Sequence, residues 1–528
     1  MQLFLTFLAY TFFVAGYSWY KLRKETLSSQ EGYFLGGRSL NGVVIAGSML
    51  LTNISTEHLI GMNGSSYKNG FIIIAWEVTS ALALILTAVY FVPKYLKMGL
   101  TTIPQFLENR FDGFTRSLVA FFLMISFIVT LLPIVLYTGA INLESIFNVS
   151  ELLDVSQDQG MSITIWAIGL IGSFYAIFGG LKAVAVSDTL NGYGLLIGGL
   201  AIPFLALLSI GDGSPMEGLS KVYQNAPEKF NVIGAKDSVM PFEVLFTGLI
   251  INQIYFWCMN QMIIQRALGA KNLKEAQKGL LLTGLLKILV PLIIILPGVI
   301  GFYYYGDLFY DRQDMIYPEL IKRVLPVGFV GIFAAVVMGA VLSTFNSVLN
   351  SAATIFSIDI FKRHIDPKVS DVRLVKIGKT TSAVLALFAI TVAPVVANAP
   401  DGLYQLLQQL NGIFFIPIAS IMLAGFFLPK ISAMAAKAAL WVGLAFYIGC
   451  TFIFHVDLHF VHIWGIEFVL NMTVMGVISY YIPKEKPFEI KDLQIVEMKG
   501  WRYTNSFSAF LVVATLSIYF ILGNFSNY

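Results

Sequence analysis

Long apolar segments, separated by short polar joints, make up most of this chain. Each segment has roughly the 20 residues that a helix needs to cross a hydrocarbon core about 30 Å thick. The pattern predicts fourteen membrane-spanning helices, here called spans 1 to 14, over residues 3–20, 40–66, 70–93, 117–143, 161–179, 183–209, 241–264, 279–305, 327–358, 380–399, 403–428, 432–454, 460–482 and 506–524. The joints between them leave no room for a soluble domain.

Composition supports an all-α integral membrane protein. Hydrophobic residues make up 57% of the 528 residues and charged residues only 12%, whereas soluble domains contain about 25% charged residues. Short cytoplasmic loops collect Lys and Arg. If the N-terminus is outside, 26 of the 34 Lys and Arg residues fall in inner loops. With an even number of spans, the pattern predicts that both termini lie on the outer side.

One lysine lies inside the membrane. Lys287 is the single charged residue of the apolar run 280–300, with Pro291 four residues later. An ammonium at that depth costs several kcal/mol unless it faces protein or water, so an ionisable residue there indicates a functional site. A purely structural pairing with a carboxylate such as Glu77 is the alternative, and it would not exclude contact with a ligand.

Two spans carry polar runs that predict interrupted helices. Span 2 contains Leu51-Thr52-Asn53-Ile54-Ser55-Thr56-Glu57-His58, and span 7 contains Asn252-Gln253 and Asn260-Gln261. Unwound segments free backbone carbonyls that bind cations where they line a cavity. Because these spans are five apart, they predict two five-helix repeats of inverted topology that each begin with a broken helix.

Span 9 carries a third polar element. It reads Ala340-Val341-Leu342-Ser343-Thr344, and more hydroxyl residues follow. Ser and Thr hydroxyls are neutral oxygen ligands that suit a hard cation, although the same residues alone would serve helix packing. With no His or Cys cluster competing with an oxygen-only site, the sequence favours sodium over a transition metal.

At this level of detail the chain resembles the sodium:solute symporters, and most closely their bacterial sodium/galactose branch, over essentially its full length. The motifs that carry the resemblance occur in the family's order: Gly32-Tyr33-Phe34-Leu35-Gly36-Gly37-Arg38-Ser39, Asn53-Ile54-Ser55 with Glu57, Ile60-Gly61-Met62, Ile103-Pro104-Gln105-Phe106-Leu107-Glu108, Gly179-Gly180-Leu181 with Asp188, Asn260-Gln261, Ile264-Gln265-Arg266 and Glu275-Ala276-Gln277-Lys278-Gly279.

The resemblance implies a leucine-transporter-like 5+5 inverted repeat with extra terminal helices. It also implies a bacterial inner membrane. The expected parts are an N-terminal helix and inner loop (1–39), a first repeat (40–209), an outer loop (210–240), a second repeat (241–428) and three further helices (429–528).

The family's functional positions can be carried over residue by residue. The resemblance implies a sodium site formed by the carbonyls of Leu51, Ile54 and Ala340 with the hydroxyls of Ser343 and Thr344, and a sodium exit path past Asp188. It implies solute contacts from His58, Glu77, Ser80, Gln253, Lys287 and Gln408. It also implies an outer gate of Met62, Trp76 and Tyr404 and an inner gate at Phe256.

Three of these positions depart from the branch. His58 replaces a glutamine, Gln253 replaces an asparagine, and Phe256 replaces a tyrosine that stacks on the sugar. Phe256 still stacks but has no hydroxyl to donate, and an imidazole changes charge near its ordinary pKa of about 6.5. These changes leave the identity of the solute open.

The expected function is inward symport of sodium with a small polyhydroxylated solute such as galactose or glucose. Sialic acid, inositol or a non-sugar solute such as proline is the alternative solute. The number of sodium ions carried in each cycle, one or two, stays open. A channel would require rings of like residues or a repeated filter loop, and an enzyme would require a nucleophile with its base. Neither pattern stands out, and no output module of a transporter-like sensor follows span 14. No obligate protein partner is indicated.

Overall fold

The computed structural model describes residues 1–23, 28–398, 403–484 and 488–526. Within this part the chain is helical, and its β-structure consists of two isolated bridges, Leu40 to Ala270 and Asn272 to Glu497. The apolar helices are Gln2–Leu22, Gly42–Asn53, Glu57–Lys97, Gly113–Phe147, Gln157–Ile177, Gly179–Ile210, Gly248–Met259, Leu273–Tyr305, Val327–Ile365, Asp371–Val392, Leu403–Phe427, Ala433–Ile453, Phe460–Tyr481 and Thr504–Leu522. Short helices in the joints include Gln30–Leu35, Ile103–Arg110, Pro215–Asn225 and Ile316–Val324, and the short helix Gln261–Leu268 continues span 7.

In the described part, twelve helices are long and apolar enough to cross a membrane. Two shorter apolar helices, Gly42–Asn53 and Gly248–Met259, open the two spans that were predicted to be broken. The segment Glu57–Lys97 holds the end of span 2 and all of span 3, and it is interrupted between them at Gly70, which has φ 73° and ψ −150°. The all-helical membrane architecture is confirmed, whereas the count of fourteen and the limits of the five parts stay predictions.

Span 2 breaks at the predicted polar run. Its first helix ends at Asn53, and Ile54 is extended with φ −84° and ψ 94°. Helical hydrogen bonding resumes over Glu57–Met62 in a short π-helix. Ser and Thr side chains compete with helical bonding, and the Thr56 hydroxyl lies 2.8 Å from the Thr138 hydroxyl in span 4. Residues 50–62 are buried, so the irregular backbone lies inside protein, as a membrane requires.

Span 7 breaks in the same manner. Asn260 is extended, with φ −69° and ψ 122°, between the short π-helix Tyr255–Met259 and the helix Gln261–Leu268. Its side-chain oxygen accepts a hydrogen bond from the backbone N–H of Met262 at 2.9 Å, which caps the second helix. Asparagine therefore both ends one half of the span and begins the other.

Spans 5 and 6 meet at a kink that requires glycine. Gly180 has φ 59° and ψ −171°, a region that side chains with a Cβ rarely adopt. A Cβ at this position would also lie 2.8 Å from the Tyr33 carbonyl oxygen. The kink thus places the helix Gln30–Leu35 of the first joint against the junction of these spans. The first half of span 2, Gly42–Asn53, packs between spans 6, 8 and 9.

Candidate functional site

A central cavity lies where the broken spans face spans 3, 4, 8, 9 and 11. Its void measures about 640 Å³, including the part that is open to solvent. It is lined by Thr52, Asn53, Glu57, His58, Trp76, Glu77, Leu131, Asn252, Gln253, Phe256, Trp257, Asn260, Met262, Lys287, Thr344, Tyr404, Leu407, Gln408, Asn411 and Phe415. The lining is rich in amides and aromatic rings, a combination that pairs directional hydrogen bonds with flat apolar faces.

The structure brings most of the expected solute and gate residues together around this cavity. Those that line it are His58, Trp76, Glu77, Gln253, Phe256, Lys287, Tyr404 and Gln408. Ser80 and Met62 are not among the described lining residues. The Ser80 hydroxyl donates to the Glu77 carbonyl of its own helix, and Met62 is fully buried.

Lys287 is paired inside the protein. Its ammonium contacts the carboxylate of Glu77 and donates to the side-chain oxygen of Asn53 at 2.5 Å. It also lies 5.6 Å from the centroid of the Trp257 ring. Lysine and glutamate are each only 1% exposed, so the pair is desolvated and connects spans 2, 3 and 8.

His58 lies between two carboxylates. Its Nδ1 is 3.6 Å from Glu57 and its Nε2 is 3.6 Å from Glu77. The imidazole meets the Tyr404 ring edge to face, with ring centroids 5.3 Å apart. An imidazole in this place links the charged wall of the cavity to its aromatic wall.

Aromatic rings form one wall of the cavity. Trp76 and Tyr404 are edge to face with centroids 5.8 Å apart, and Tyr404 accepts a hydrogen bond from Gln408 at 2.8 Å. Trp464 of span 13 lies behind them, 6.3 Å from Trp76. Trp464 was not expected at the site, because its span lies outside the predicted repeats.

The expected ion-binding elements of spans 2 and 9 are in contact. Leu51, Ile54 and Ala340 are fully buried, and Ser343 and Thr344 are no more than 2% exposed. The Thr344 hydroxyl donates to the Thr52 carbonyl at 3.0 Å, immediately before the break in span 2. Carbonyl and hydroxyl oxygens are the donor set that a hard monovalent cation requires.

Asp188 lies beside this region with a partner that the sequence did not identify. Its carboxylate accepts from the Ser48 hydroxyl at 2.6 Å, faces Ser343, and is 3.8 Å from the Arg266 guanidinium. Arg266 is fully buried and also contacts the Ser347 hydroxyl. Arg266 occurs in a motif of the resemblance, but only the fold shows that it faces the carboxylate.

Four asparagines on the cavity were also missed as site residues: Asn53, Asn252, Asn260 and Asn411. A spacing signal existed for Asn411, which lies three residues after Gln408 and so shares its helix face. Asn252 was noted only as part of the polar pair with Gln253. Buried amides look alike in a sequence, and nothing there indicates which side chains remain unbonded.

An ionic cluster connects the ends of the span 4 and span 9 helices with the joint helix Ile103–Arg110. Glu108 contacts both Arg116 and Arg363, and Arg116 also lies 2.6 Å from Asp359. Partial burial alone would raise the pKa of Glu108. Hydrogen bonds and charge attraction from the two arginines outweigh that effect, so the pKa of Glu108 lies below its ordinary value.

Comparisons with known proteins agree with this arrangement. Residues 33–443 match the profile of the Sodium:solute symporter family. The Escherichia coli K12 protein "Uncharacterized symporter YidK" is 45% identical over 99% of this chain and 91% of its own length. The "Sodium/glucose cotransporter" of Vibrio parahaemolyticus is 34% identical over 78% of each chain.

Among solved structures, a Na⁺-coupled sialic acid symporter in its substrate-bound outward-open state superposes with a TM-score of 0.79. It shares 20% identity, and the match covers 92% of this chain and 99% of the other. This likeness confirms the leucine-transporter-like fold. With the family profile and the two relatives, it shows that this chain belongs to the sodium:solute symporter family, and that its activity is sodium-coupled symport across a membrane and not an enzymatic reaction.

Proposed function

We propose that the protein carries a neutral polyhydroxylated solute, a hexose such as galactose or glucose, into the cell together with sodium. The observation that carries the proposal is the central cavity, where a desolvated Lys287–Glu77 pair lies among amides and aromatic rings. A buried ion pair surrounded by amides offers many directional hydrogen bonds with little net charge. That chemistry suits a ring that bears several hydroxyl groups.

In this proposal sodium binds between spans 2 and 9. The carbonyls of Leu51, Ile54 and Ala340 and the hydroxyls of Ser343 and Thr344 coordinate it. The contact between Thr344 and the Thr52 carbonyl supports this assignment, because it joins the two elements at the helix break. Bound sodium stabilises span 2 in the shape that completes the solute site, so sodium raises the affinity for solute by selecting that conformation.

The solute lies against His58, Glu77, Lys287 and Gln408, with Gln253 and Ser80 supporting that wall. Trp76 and Tyr404, backed by Met62, close over it from outside, and Phe256 limits its escape inward. Movement of one repeat against the other then opens the inner side. Sodium leaves past Asp188, whose position beside Ser343 supports that route.

The sodium gradient supplies enough free energy for accumulation. One sodium ion gains about 2.3 kcal/mol from a potential of roughly 100 mV and about 1.4 kcal/mol from a tenfold concentration ratio. At one-to-one coupling this total supports roughly 500-fold accumulation. The distribution of basic residues supports an orientation with both termini outside, and the family resemblance supports a bacterial inner membrane.

Uptake into proteoliposomes tests the proposal. Labelled glucose, galactose, inositol, sialic acid and proline are supplied with an inward sodium gradient and, separately, with sodium equal on both sides. Uptake of a neutral hexose that depends on the gradient is the expected result. Gradient-driven uptake restricted to sialic acid or proline would overturn the hexose assignment and keep the symport.

A further inference from the structure

We propose that Asn252 and Asn411, and not Gln253, supply the amides that hydrogen-bond paired hydroxyl groups of the solute. This inference rests on the proposed function, because it names the residues that read the hydroxyl groups of a polyhydroxylated solute. It assigns recognition to two positions that the resemblance does not select.

Both ends of the Gln253 side-chain amide are already hydrogen-bonded within the protein. Its Nε2 donates to the Trp76 carbonyl at 2.8 Å and to the Thr79 hydroxyl at 3.1 Å. Its Oε1 accepts from the Trp257 indole N–H at 3.1 Å. With its oxygen and its amino group both bonded, this side chain holds spans 3 and 7 together and positions two tryptophans of the cavity wall.

Asn252 and Asn411 are different. Both line the central cavity and are buried, at 5% and 6% exposure. In the described part of the chain, the Oδ1 atom of each is buried and has no hydrogen-bond partner. They come from the first half of span 7 and from span 11, two helices that pack against each other at the cavity.

A buried acceptor without a donor is costly, and it favours a ligand that supplies the donor. A hydroxyl group supplies one. A primary amide also carries an oxygen and an amino group side by side, so it accepts from one hydroxyl while donating to its neighbour. Two such amides on adjacent helices therefore favour a solute with paired hydroxyl groups over one that presents only acceptors, such as a carboxylate.

The test combines amide variants with deoxygenated solutes. Wild type, Asn252→Ala, Asn411→Ala and Gln253→Leu are placed in proteoliposomes, and sodium-driven uptake of D-galactose, D-glucose and myo-inositol is measured. For the solute that is carried, uptake of its monodeoxy derivatives follows. Asn142→Ala is the matched control, because Asn142 is a fully buried asparagine whose amide is also unpartnered in the described part but does not line the cavity.

Each asparagine variant should raise the solute KM about tenfold and leave the sodium dependence of uptake unchanged. The control variant Asn142→Ala should keep the wild-type KM. In each variant one particular deoxy derivative should be carried as well as the parent solute, because the amide that read that hydroxyl is gone. Gln253→Leu should still carry the parent solute better than each of its monodeoxy derivatives, as wild type does. Wild-type KM and discrimination in both asparagine variants would overturn the inference and leave the symport intact. Sodium-driven uptake of none of the three solutes would overturn the proposed function and this inference together.

Discussion

The ammonium of Lys287 in span 8 contacts the carboxylate of Glu77 in span 3, and both groups are excluded from solvent. This pairing is the alternative that the sequence left open for Lys287. It does not remove the lysine from the site, since the same pair lines the central cavity. The two charges of the pair neutralise each other at that wall, which suits the neutral solute proposed above.

Breaking the pair from one side should destabilise the protein. Lys287→Met or Glu77→Gln leaves the partner unpaired in a low-dielectric interior, at a cost of about 3–5 kcal/mol. The double variant should recover most of that loss, since neither charge remains. Thermal unfolding of the purified variants measures the effect. Equal melting temperatures for wild type and both single variants would contradict it.

Replacing both Ser343 and Thr344 by alanine should abolish sodium-dependent uptake, because two of the proposed oxygen ligands disappear, and the protein should still fold. Uptake at increasing sodium concentration measures the effect. Thr283→Ala is the control, because its buried hydroxyl donates to the Gly279 carbonyl in its own helix at 2.9 Å. Unchanged sodium dependence in the double variant would remove the proposed ion site.

Asp188→Asn should slow transport without weakening solute binding. The substitution removes the carboxylate that faces Ser343 and leaves the buried Arg266 charge without its partner. We expect equilibrium solute binding at saturating sodium to match wild type and the uptake rate to fall about tenfold or more. A parallel loss of solute affinity would instead place Asp188 in the solute site.

The ionic cluster of Glu108, Arg116, Asp359 and Arg363 predicts an acid-sensitive contribution to stability. The pKa of Glu108 is lowered in the folded protein, so its contribution is present above the unfolded value of about 4.3 and is lost as the pH falls through the lower folded value. Melting temperatures at pH 7 and at about pH 3 compare wild type with Glu108→Gln. The variant should lose less stability on acidification, and an identical loss in both proteins would exclude Glu108 as the cause.

Much of the fold follows from local chemistry. Apolar runs of about 20 residues predict membrane helices regardless of what they contact, and polar runs at 51–58 and 252–261 predict the two breaks, because those side chains compete with helical hydrogen bonds. The structure has both interruptions, at Ile54 and at Asn260. The chain also leaves the helical conformation at Gly70, with φ 73° and ψ −150°, where span 3 was predicted to begin.

The site divides along the same line. Residue types and spacing were enough to select Lys287, the hydroxyl pair of Ser343 and Thr344, and the unwound run of span 2. Only the tertiary structure decided which partner each group takes: Glu77 for Lys287, Arg266 for Asp188, and Trp76 with Trp257 for Gln253. A sequence records what a side chain can bond, whereas its actual partner depends on helices far apart in the chain. For that reason neighbouring amides such as Asn252 and Gln253, equivalent in sequence, have opposite hydrogen-bonding states in the folded protein.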